Sequence, residues 1–464
     1  MTLKRETKNG GVVTSLGQSE SIEELLELLG LSCFEDLFIE PPESAREYLA
    51  RSSSETNGKV KFPAQTTEFG DDSPIYSGAG GYDRLLPASV EKMVGECDLY
   101  TAYSADRERP RLAVLRAFEA YRRAALELAG MEAASGAVFC GGSALAYGCL
   151  LACEATGRTG IVVSETLDPS QRSILAAYAA AGLLRLYEVP ERGGLTDLVA
   201  LDALLAERGE EIAATVAQYP NFYGNLERMA ALESAAHARG AAVVMSVELV
   251  TLAAIKSPAE WGADIVVSDS APTPDRNAFE KGRLGVIAVS ERILGSLPDR
   301  VAFVNDADGV RPVLILQRRG GSPAARTAIT RSREALTATA ALAYYAYTSP
   351  ESFERAAFNS YRAAKYARER LTEAGFPLLF DAPCLHEFAV SVADPAGMNA
   401  YLRKWGIVGG CELPNALLFA FTEKRAKGEI DELVHFMKLY QFGDGGGTGA
   451  QARAQRNLKR KDTR

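Results

Sequence analysis

Residues 137–154 read AVFCGGSALAYGCLLACE, and this stretch decides the fold. The apolar run Ala137–Phe139 is typical of a buried strand, and the Gly-Gly-Ser turn of Gly141–Ser143 follows it closely. The helix that this turn opens, Ser143–Glu154, is apolar along most of its length. Its first turn presents backbone N–H groups at the positive end of the helix dipole, where a phosphate group can bind.

The alternation of strand and helix continues to Val289. Short apolar runs predict further strands at Ile161–Ser164, Leu184–Val189, Ala213–Gln218, Ala241–Met245, Ile265–Ser268 and Gly285–Val289. Helical stretches lie between them, notably Ser170–Ala181 and Leu226–Arg239. An alternation of this length predicts an α/β fold with a mainly parallel sheet that helices cover on both faces. Ligands of such sheets bind at the carboxyl ends of the strands.

The order of the predicted elements divides the chain into five parts. Residues 1–20 are predicted to be a disordered N-terminus, and residues 21–132 a segment of helices and extended chain. Residues 133–300 form the large α/β domain, residues 301–442 a smaller α+β domain, and residues 443–464 a disordered basic tail. In the smaller domain we predict helices at Ala325–Thr348, Glu351–Ala374 and Lys424–Leu439, and strands at His386–Val392 and Leu417–Thr422.

Composition argues against several classes of protein. The 464 residues are 47% hydrophobic and 24% charged, as in ordinary soluble domains. The net charge of −9 argues against nucleic-acid binding, which needs a basic surface. No apolar run approaches the roughly 20 residues that span a membrane, and Met1–Gly11 lacks the apolar core of a signal peptide. The seven cysteines form no C-x-x-C pair, so no disulfide framework and no metal site is predicted, and we expect a cytoplasmic location.

The loop after the predicted strand Ile265–Ser268 lacks an amine. A pyridoxal-phosphate enzyme with this layout carries its Schiff-base lysine there, but residues 269–274 read DSAPTP. We interpret Lys256 and Lys281, on either side of this loop, as surface residues. A stand-alone pyridoxal enzyme that uses one of them is a minor alternative. An NAD-dependent dehydrogenase is another, but the turn at Gly141–Ser143 lacks the G-x-G-x-x-G spacing.

Several short strings are specific in combination. They are Leu26–Gly30 with Glu35–Phe38, Gly78–Asp83, Tyr100–Tyr103, Gln218–Gly224, His386–Phe388 and Thr422–Arg425. In this order and spacing, over about residues 22–439, the chain resembles subunit 1 of the two-subunit glycine dehydrogenase (decarboxylating). That enzyme is the P-protein of the glycine cleavage system.

The resemblance implies a fold-type-I pyridoxal-phosphate-transferase scaffold and a division of labour between two subunits. In that family subunit 2 carries the pyridoxal lysine, so pyridoxal phosphate is expected on the partner and none is held covalently by this chain. Glycine is decarboxylated, and the aminomethyl group passes to the lipoyl arm of the H-protein. The expected partners are therefore subunit 2 and the lipoylated H-protein, and this chain walls the pocket without a catalytic residue of its own.

The resemblance and the strand ends together give a set of candidate pocket residues. They are Tyr100, Thr101, Tyr103, Ser143, Asn221 and Phe222. A plainer alternative stays open for several of them. The two tyrosines can simply pack in a turn, and Asn221 after Pro220 can shape the turn that follows a strand.

The chain departs from the family's usual pattern at the rim of the sheet. Asp168-Pro169 stands where the family usually has His-Pro, and Glu248-Leu249 stands where it has Asp-Pro. Residues 269–281 and 317–333 also differ, and Ala102 and Ser104 replace a Pro and a Gln. These changes favour a second reading, in which the chain is a catalytically degenerate paralogue. It would then act as a structural or regulatory partner of a pyridoxal enzyme.

Overall fold

A computed structural model of the chain describes residues 73–85, 124–138, 140–269, 285–293, 302–305, 313–316, 344 and 350–443. Its strands are β1 (Ala133–Val138), β2 (Gly160–Ser164), β3 (Arg185–Val189), β4 (Glu191–Arg192), β5 (Leu195–Thr196), β6 (Ile212–Tyr219), β7 (Ala242–Glu248), β8 (Ile265–Asp269), β9 (Gly285–Val289), β10 (Ala302–Asn305), β11 (Val313–Leu316), β12 (Glu387–Ser391), β13 (Cys411–Leu413) and β14 (Ala416–Ala420). Its helices are α1 (Gly141–Thr156), α2 (Pro169–Ala180), α3 (Leu198–Arg208), α4 (Met229–His237), α5 (Leu249–Leu252), α6 (Pro350–Glu373), α7 (Pro395–Arg403) and α8 (Lys427–Phe442), with a 3-10 turn at Ala259–Trp261.

The central sheet has seven strands in the order β1-β9-β8-β7-β6-β2-β3. The five adjacent strands β8, β7, β6, β2 and β3 are parallel to one another. Strand β9 is antiparallel to both β8 and β1. The prediction of an α/β fold with a mainly parallel sheet is confirmed, and the antiparallel pairs are confined to one end of the sheet.

Two apolar layers cover the two faces of this sheet. Val162 and Val243 point to a layer that includes residues of α3 and α4, whereas Val163 and Val244 point to a layer formed with α1 and α2. All four valines are almost completely buried. Each contributes roughly 1.5–3 kcal/mol through burial of its side chain, which explains why continuous β-branched runs form these strands. Gly148 lets α1 lie close to the sheet, because a Cβ there would stand 3.1 Å from Ile265 Cγ2.

Each of the seven predicted strands of the large domain overlaps an observed strand. Six agree within three residues at each end, whereas β1 begins four residues before the predicted Ala137–Phe139. The predicted helix Leu226–Arg239 is shorter, Met229–His237, because the Glu227 side chain is engaged elsewhere and Arg228 provides no side-chain cap. Sequence reasoning missed helix α3, which Asp197 caps by accepting from the N–H groups of Val199 and Ala200. It also missed the small β4–β5 and β10–β11 hairpins.

The C-terminal part forms a three-stranded antiparallel sheet in the order β12-β14-β13, packed with α6, α7 and α8. Strands β12 and β14 and helices α6 and α8 match predicted elements, whereas β13 and α7 were not predicted. Phe388 and Phe421 stack with ring centroids 5.4 Å apart at the centre of this apolar core. The predicted helix Ala325–Thr348 lies outside the described residues, apart from Tyr344.

Residues 73–85 pack into this C-terminal core although they are more than 300 positions away in the chain. The Tyr76 ring is fully buried there, and its hydroxyl donates to the Glu429 carbonyl at 2.8 Å. Isolated bridges join Ile75 to Val408 and Ser77 to Phe419. The five-part domain division stays a prediction, but this segment of residues 21–132 is an integral part of the C-terminal core.

In the part of the chain that the structure describes, we find no helix with the length and hydropathy that crossing a membrane requires.

The turn after β6 fits tightly against the C-terminal sheet. Asn225 forms a bridge with Cys384, and the Leu226 N–H donates to the Pro383 carbonyl at 2.8 Å. Gly224 has a φ of 80°, and a Cβ at this position would overlap the carbonyl oxygen of Glu387. The two sheets can therefore approach here only because residue 224 has no side chain.

We expect Gly224→Ala to lower the free energy of unfolding by about 2–4 kcal/mol, through the left-handed backbone and the overlap with Glu387 together. Gly157→Ala is the matched control, because Gly157 has a similar φ of 70° but no atom within 4 Å of the added Cβ. That variant should lose only about 1–2 kcal/mol. Denaturant unfolding of the three proteins checks this, and equal losses at both positions would contradict the tight fit.

Candidate functional site

The carboxyl ends of the parallel strands meet at one edge of the central sheet, where ligands of such folds bind. Strands β6, β7 and β8 run side by side, and Gln218 pairs with Ser246 while Glu248 pairs with Asp269. The N-terminus of α1 follows β1 at Cys140. Hydrogen bonds from neighbouring residues hold several polar side chains at this rim.

Ser143 lies in the first turn of α1 and is half-buried. Its backbone N–H donates to the Cys140 Sγ at 3.5 Å, and the Cys140 thiol contacts Ser143 Oγ at 3.4 Å. Gly142 faces Ile174 of α2, and a Cβ there would overlap the Ile174 side chain. The glycine turn therefore has a packing function, and a ligand-binding role for Ser143 stays a prediction.

Asn221 is fully buried and its side chain is completely used by neighbouring groups. Its Nδ2 donates to the Gly194 carbonyl and to Glu227 Oε1, both at 2.8 Å. Its Oδ1 accepts from the backbone N–H groups of Tyr223 and Asn225. In this arrangement Asn221 shapes the turn after β6, as the plainer alternative expected, and a direct pocket role stays a prediction.

Glu227 collects a set of buried hydrogen bonds in the same place. Besides Asn221, its carboxylate accepts from Thr166 Oγ1 at 2.8 Å and from the Thr196 N–H at 3.1 Å. Several donors share the charge of a carboxylate that has little contact with water. The network joins the loop after β2 to β5 and to the turn after β6.

Phe222 points away from the large domain and into the C-terminal sheet. Its ring is buried against Ala389 and Leu418, and its N–H donates to the Thr166 carbonyl at 2.9 Å. The Tyr223 ring meets it edge-on at 5.4 Å. A pocket role for Phe222 also stays a prediction. Three further candidates, Tyr100, Thr101 and Tyr103, lie outside the described residues.

Two departures from the expected pattern have clear structural functions. Asp168 caps helix α2 by accepting from the Ser170 N–H and hydroxyl, each at 2.7 Å. Its own N–H donates to Gln218 Oε1 at 2.8 Å. Pro169 begins the helix, so Asp-Pro-Ser is a favourable helix start. The carboxylate of Asp168 is therefore engaged in holding α2 at the rim.

Glu248, the other departure, ends β7 and clamps a buried arginine. Arg84 Nε and Nη2 lie 2.7 and 2.8 Å from the two oxygens of Glu248, and Nη1 lies 3.0 Å from Glu423 Oε2. Ser360 of α6 accepts from the same Nη1 at 3.3 Å. Burial alone would lower the pKa of Arg84, but the attraction of Glu248 and Glu423 outweighs it and the pKa is raised. We call Arg84, Glu248, Glu423 and Ser360 the arginine cluster.

Asp83, next to Arg84, binds the segment that contains Glu423. Its carboxylate lies 2.9 Å from Lys424 Nζ and 3.0 Å from Arg425 Nη2. The Thr422 hydroxyl donates to the Asp83 carbonyl, and the Leu85 N–H donates to Glu423 at 2.8 Å. Asp83 and Arg84 therefore both bind the segment after β14, and Arg84 also binds the end of β7.

Tyr82 completes this arrangement through a buried glutamate. Its hydroxyl donates to Glu387 Oε2 at 2.7 Å, and the Ala79 N–H donates to Oε1. Burial, with some repulsion from Glu248 and Asp168, raises the pKa of Glu387 to about 8 even though these two hydrogen bonds oppose the rise. His386 meets the Tyr82 ring edge-on at 4.6 Å, and burial together with the Arg84 charge holds the pKa of His386 well below its usual range.

Four of the strings singled out in the sequence therefore meet in one place: Gly78–Asp83, Gln218–Gly224, His386–Phe388 and Thr422–Arg425. They form a joint between the central sheet and the C-terminal sheet. Sequence reasoning missed Arg84 and the partners of Glu248. The only available signal was an alternation of charge, Asp83-Arg84 against Glu423-Lys424-Arg425, whose pairing needs the fold.

Comparison with known proteins identifies the family of the chain. A family model described as the glycine cleavage system P-protein matches residues 15–437. The chain belongs to the P-protein family. Curated relatives in Syntrophomonas wolfei and Carboxydothermus hydrogenoformans, both named "Probable glycine dehydrogenase (decarboxylating) subunit 1", are 34% and 33% identical. The matches cover 89% and 90% of this chain and 96% and 97% of those proteins.

Solved structures agree with this family and with the fold. A structure of "glycine decarboxylase (P-protein) of the glycine cleavage system, in inhibitor-bound form" matches with a TM-score of 0.70 at 29% identity. The match covers 92% of the present chain and 99% of the chain in the solved structure. A cysteine desulfurase from Thermococcus onnurineus matches with a TM-score of 0.57 at 15% identity, covering 80% of this chain and 95% of that one. The latter shows the fold alone, which is that of fold-type-I pyridoxal-phosphate enzymes.

The segment that directly follows β8 does not supply a lysine for a covalently held pyridoxal phosphate. No lysine occurs between Lys256 and Lys281, so none directly follows β8. Lys256 Nζ lies 4.2 Å from the centre of the Trp261 ring, in a cation–π contact. Lys281 is outside the described residues. The Glu248 carboxylate, at the end of the neighbouring strand, is already bound by Arg84.

We expect the raised pKa of Glu387 to make stability depend on pH. The folded chain keeps this proton up to about pH 8, whereas the unfolded chain releases it near 4.5. The stability that the Glu387 proton contributes to the folded chain is therefore fully present below pH 4.5 and is lost as the pH rises through about 8. Glu387→Gln mimics the protonated acid, because its amide can donate to Tyr82 and its oxygen can accept from Ala79.

The measurement is the free energy of unfolding of wild type and Glu387→Gln across pH 5 to 9, a range set by the two pKa values. The variant should gain stability relative to wild type as the pH rises. Glu354→Gln, at an exposed position of α6, should follow wild type throughout. Parallel profiles for wild type and Glu387→Gln would mean that Glu387 titrates normally.

Proposed function

We propose that this chain is the lysine-less subunit of a heteromeric glycine decarboxylase and that it walls the pyridoxal site of subunit 2. The observation that carries the proposal is the match over 96% of the length of relatives named subunit 1. The absence of a lysine after β8 and the engagement of Glu248 by Arg84 support the same division of labour.

In this proposal the reacting groups belong to the partner. Pyridoxal phosphate on subunit 2 supplies the electron sink that allows glycine to lose its carboxyl group as CO₂. The aminomethyl group that remains passes to the oxidised lipoyl arm of the H-protein, which is reduced. The present chain binds subunit 2 and shapes the approach of the lipoyl arm. Its candidate wall residues are Tyr100, Thr101, Tyr103, Ser143, Asn221 and Phe222.

The second candidate is a degenerate paralogue that stabilises or regulates a pyridoxal enzyme without taking part in turnover. The observation in its favour is that Asp168 and Glu248, two departures at the rim, make internal contacts. Both candidates require a partner with the same fold, and they differ in whether this chain is needed for decarboxylation itself.

Co-expression with a subunit 2 from the same genome separates the two candidates. We expect a stable heteromer that binds pyridoxal phosphate and exchanges the glycine carboxyl with bicarbonate when lipoylated H-protein is present. Subunit 2 alone should show little exchange. Equal exchange by subunit 2 with and without this chain would favour the paralogue. Failure of the two chains to associate would contradict the first candidate and would favour a partner outside the glycine cleavage system.

The proposed wall residues give a sharper test of the same heteromer. Tyr100→Phe, Thr101→Val and Tyr103→Phe each remove one hydroxyl, and loss of a hydrogen bond near the reacting groups should lower the exchange rate about tenfold. The heteromer should still form. Tyr361→Phe is the control, because Tyr361 is exposed on α6. Unchanged exchange in all three wall variants would remove these residues from the proposed pocket.

A further inference from the structure

The end of β7 is the place in this fold where a carboxylate could serve a pyridoxal ring. Strand β7 is parallel to β8, and Glu248 stands beside Asp269 in the register. The lysine of a pyridoxal enzyme would follow β8, so Glu248 lies next to the place where the cofactor would be attached. A pyridoxal ring nitrogen is held in its protonated form by such an acidic partner.

In this chain the Glu248 carboxylate already has a cation. The Arg84 guanidinium binds both of its oxygens, at 2.7 and 2.8 Å, in the parallel geometry that gives arginine–carboxylate pairs their strength. The Arg84 side chain is almost completely buried, whereas that of Glu248 keeps a quarter of its exposure. The arginine is therefore part of the interior and not a mobile surface residue.

A second carboxylate fixes the cation from the other side. Glu423 accepts from Arg84 Nη1 at 3.0 Å and from the Leu85 N–H at 2.8 Å, and the Ser360 hydroxyl donates to it at 2.9 Å. If Glu248 turned to a ring nitrogen, the buried guanidinium would keep only one of its two carboxylates. The loss of a charged partner in the interior is strongly unfavourable, so the chain's own cation excludes a competing one.

We infer that Arg84 takes the place of a cofactor's ring nitrogen at the end of β7, so that this chain excludes pyridoxal phosphate from its own sheet even without a covalent bond. The inference rests on the contacts of this chain and goes beyond the proposed function, which cites the Arg84–Glu248 contact but does not assign it a role in excluding the cofactor. The arginine cluster holds β7, α6 and the segment after β14 together in place of a cofactor.

The first test is binding of a cofactor analogue to the full-length chain without subunit 2. Pyridoxamine 5′-phosphate is the probe, because it has no aldehyde and forms no Schiff base with surface lysines. We expect no saturable binding at millimolar ligand by equilibrium dialysis with fluorescence detection. Saturable binding to the isolated wild-type chain would overturn the inference.

The second test removes the Arg84 side chain and measures whether free guanidinium ion can bind in its place. Arg84→Ala should lower the midpoint of thermal unfolding, and millimolar guanidinium ion should restore part of the loss, since it can bind between Glu248 and Glu423. The matched control is Arg370→Ala, because Arg370 contacts Asp431 at 2.8 Å and Glu373 at 2.9 Å but lies at the surface. It should show a small loss and no restoration.

Two results of this second test would overturn the inference. One is an Arg84→Ala protein as stable as wild type, and the other is equal restoration by guanidinium in the two variants. If Arg84→Ala does not fold, Arg84→Lys replaces it, since a lysine ammonium is a point charge without the planar fork that binds both oxygens of Glu248. A midpoint equal to that of wild type would again count against the inference. None of these measurements needs subunit 2, so they succeed or fail independently of the proposed glycine decarboxylase.

Discussion

A buried arginine that needs two carboxylates constrains how the central sheet and the C-terminal sheet are joined. The Arg84 guanidinium is almost inaccessible to water, and a charge in that position is tolerated only if its partners are close and correctly oriented. Glu248 comes from the central sheet, and Glu423 follows the C-terminal sheet. Because one guanidinium must satisfy both, the end of β7 and the segment after β14 have a fixed separation. Apolar packing alone does not set such a distance, since it has no direction.

The surrounding polar groups follow the same requirement. Glu387 accepts from Tyr82 and Ala79, and Glu227 accepts from Asn221, Thr166 and Thr196. The donors to Glu387 both come from the segment 73–85, which Glu387 thereby ties to β12. The donors to Glu227 come from three separate places in the chain, so Glu227 can be satisfied only when those places are brought together. The absence of a side chain at Gly224 lets the two sheets approach closely enough for these bonds to form. The joint is therefore specified by hydrogen bonding, while the layers on both faces of the central sheet provide most of the apolar burial.

Elements that are determined by neighbouring residues could be predicted from the sequence, whereas those that depend on distant contacts could not. Strands such as Ile161–Ser164 were predictable, because a run of β-branched residues is buried on both faces of a parallel sheet. Strand β13 has only three residues, which is too short for an alternation of apolar and polar side chains to be recognised in the sequence. Asp197 caps helix α3 and Asp168, in Asp-Pro-Ser, caps helix α2. Both caps are local signals that sequence reasoning overlooked. The Tyr76–Glu429 and Arg84–Glu423 contacts join residues 353 and 339 positions apart, and the Arg84–Glu248 contact joins residues 164 apart, so none of them has a local signal in the sequence.

The departures at the rim acquire a common explanation from these contacts. Asp168 and Glu248 stand where the resemblance leads us to expect His and Asp, and each serves the fold, since Asp168 caps α2 and Glu248 binds Arg84. A cofactor that binds only the folded state adds to its stability, and under the proposed function this chain folds without that contribution. The arginine cluster offers a replacement in the same place, since its guanidinium supplies a positive charge beside Glu248. In the proposed heteromer, a rim that is satisfied internally in this way is already ordered before the partner binds, so little entropy is lost in ordering it on binding.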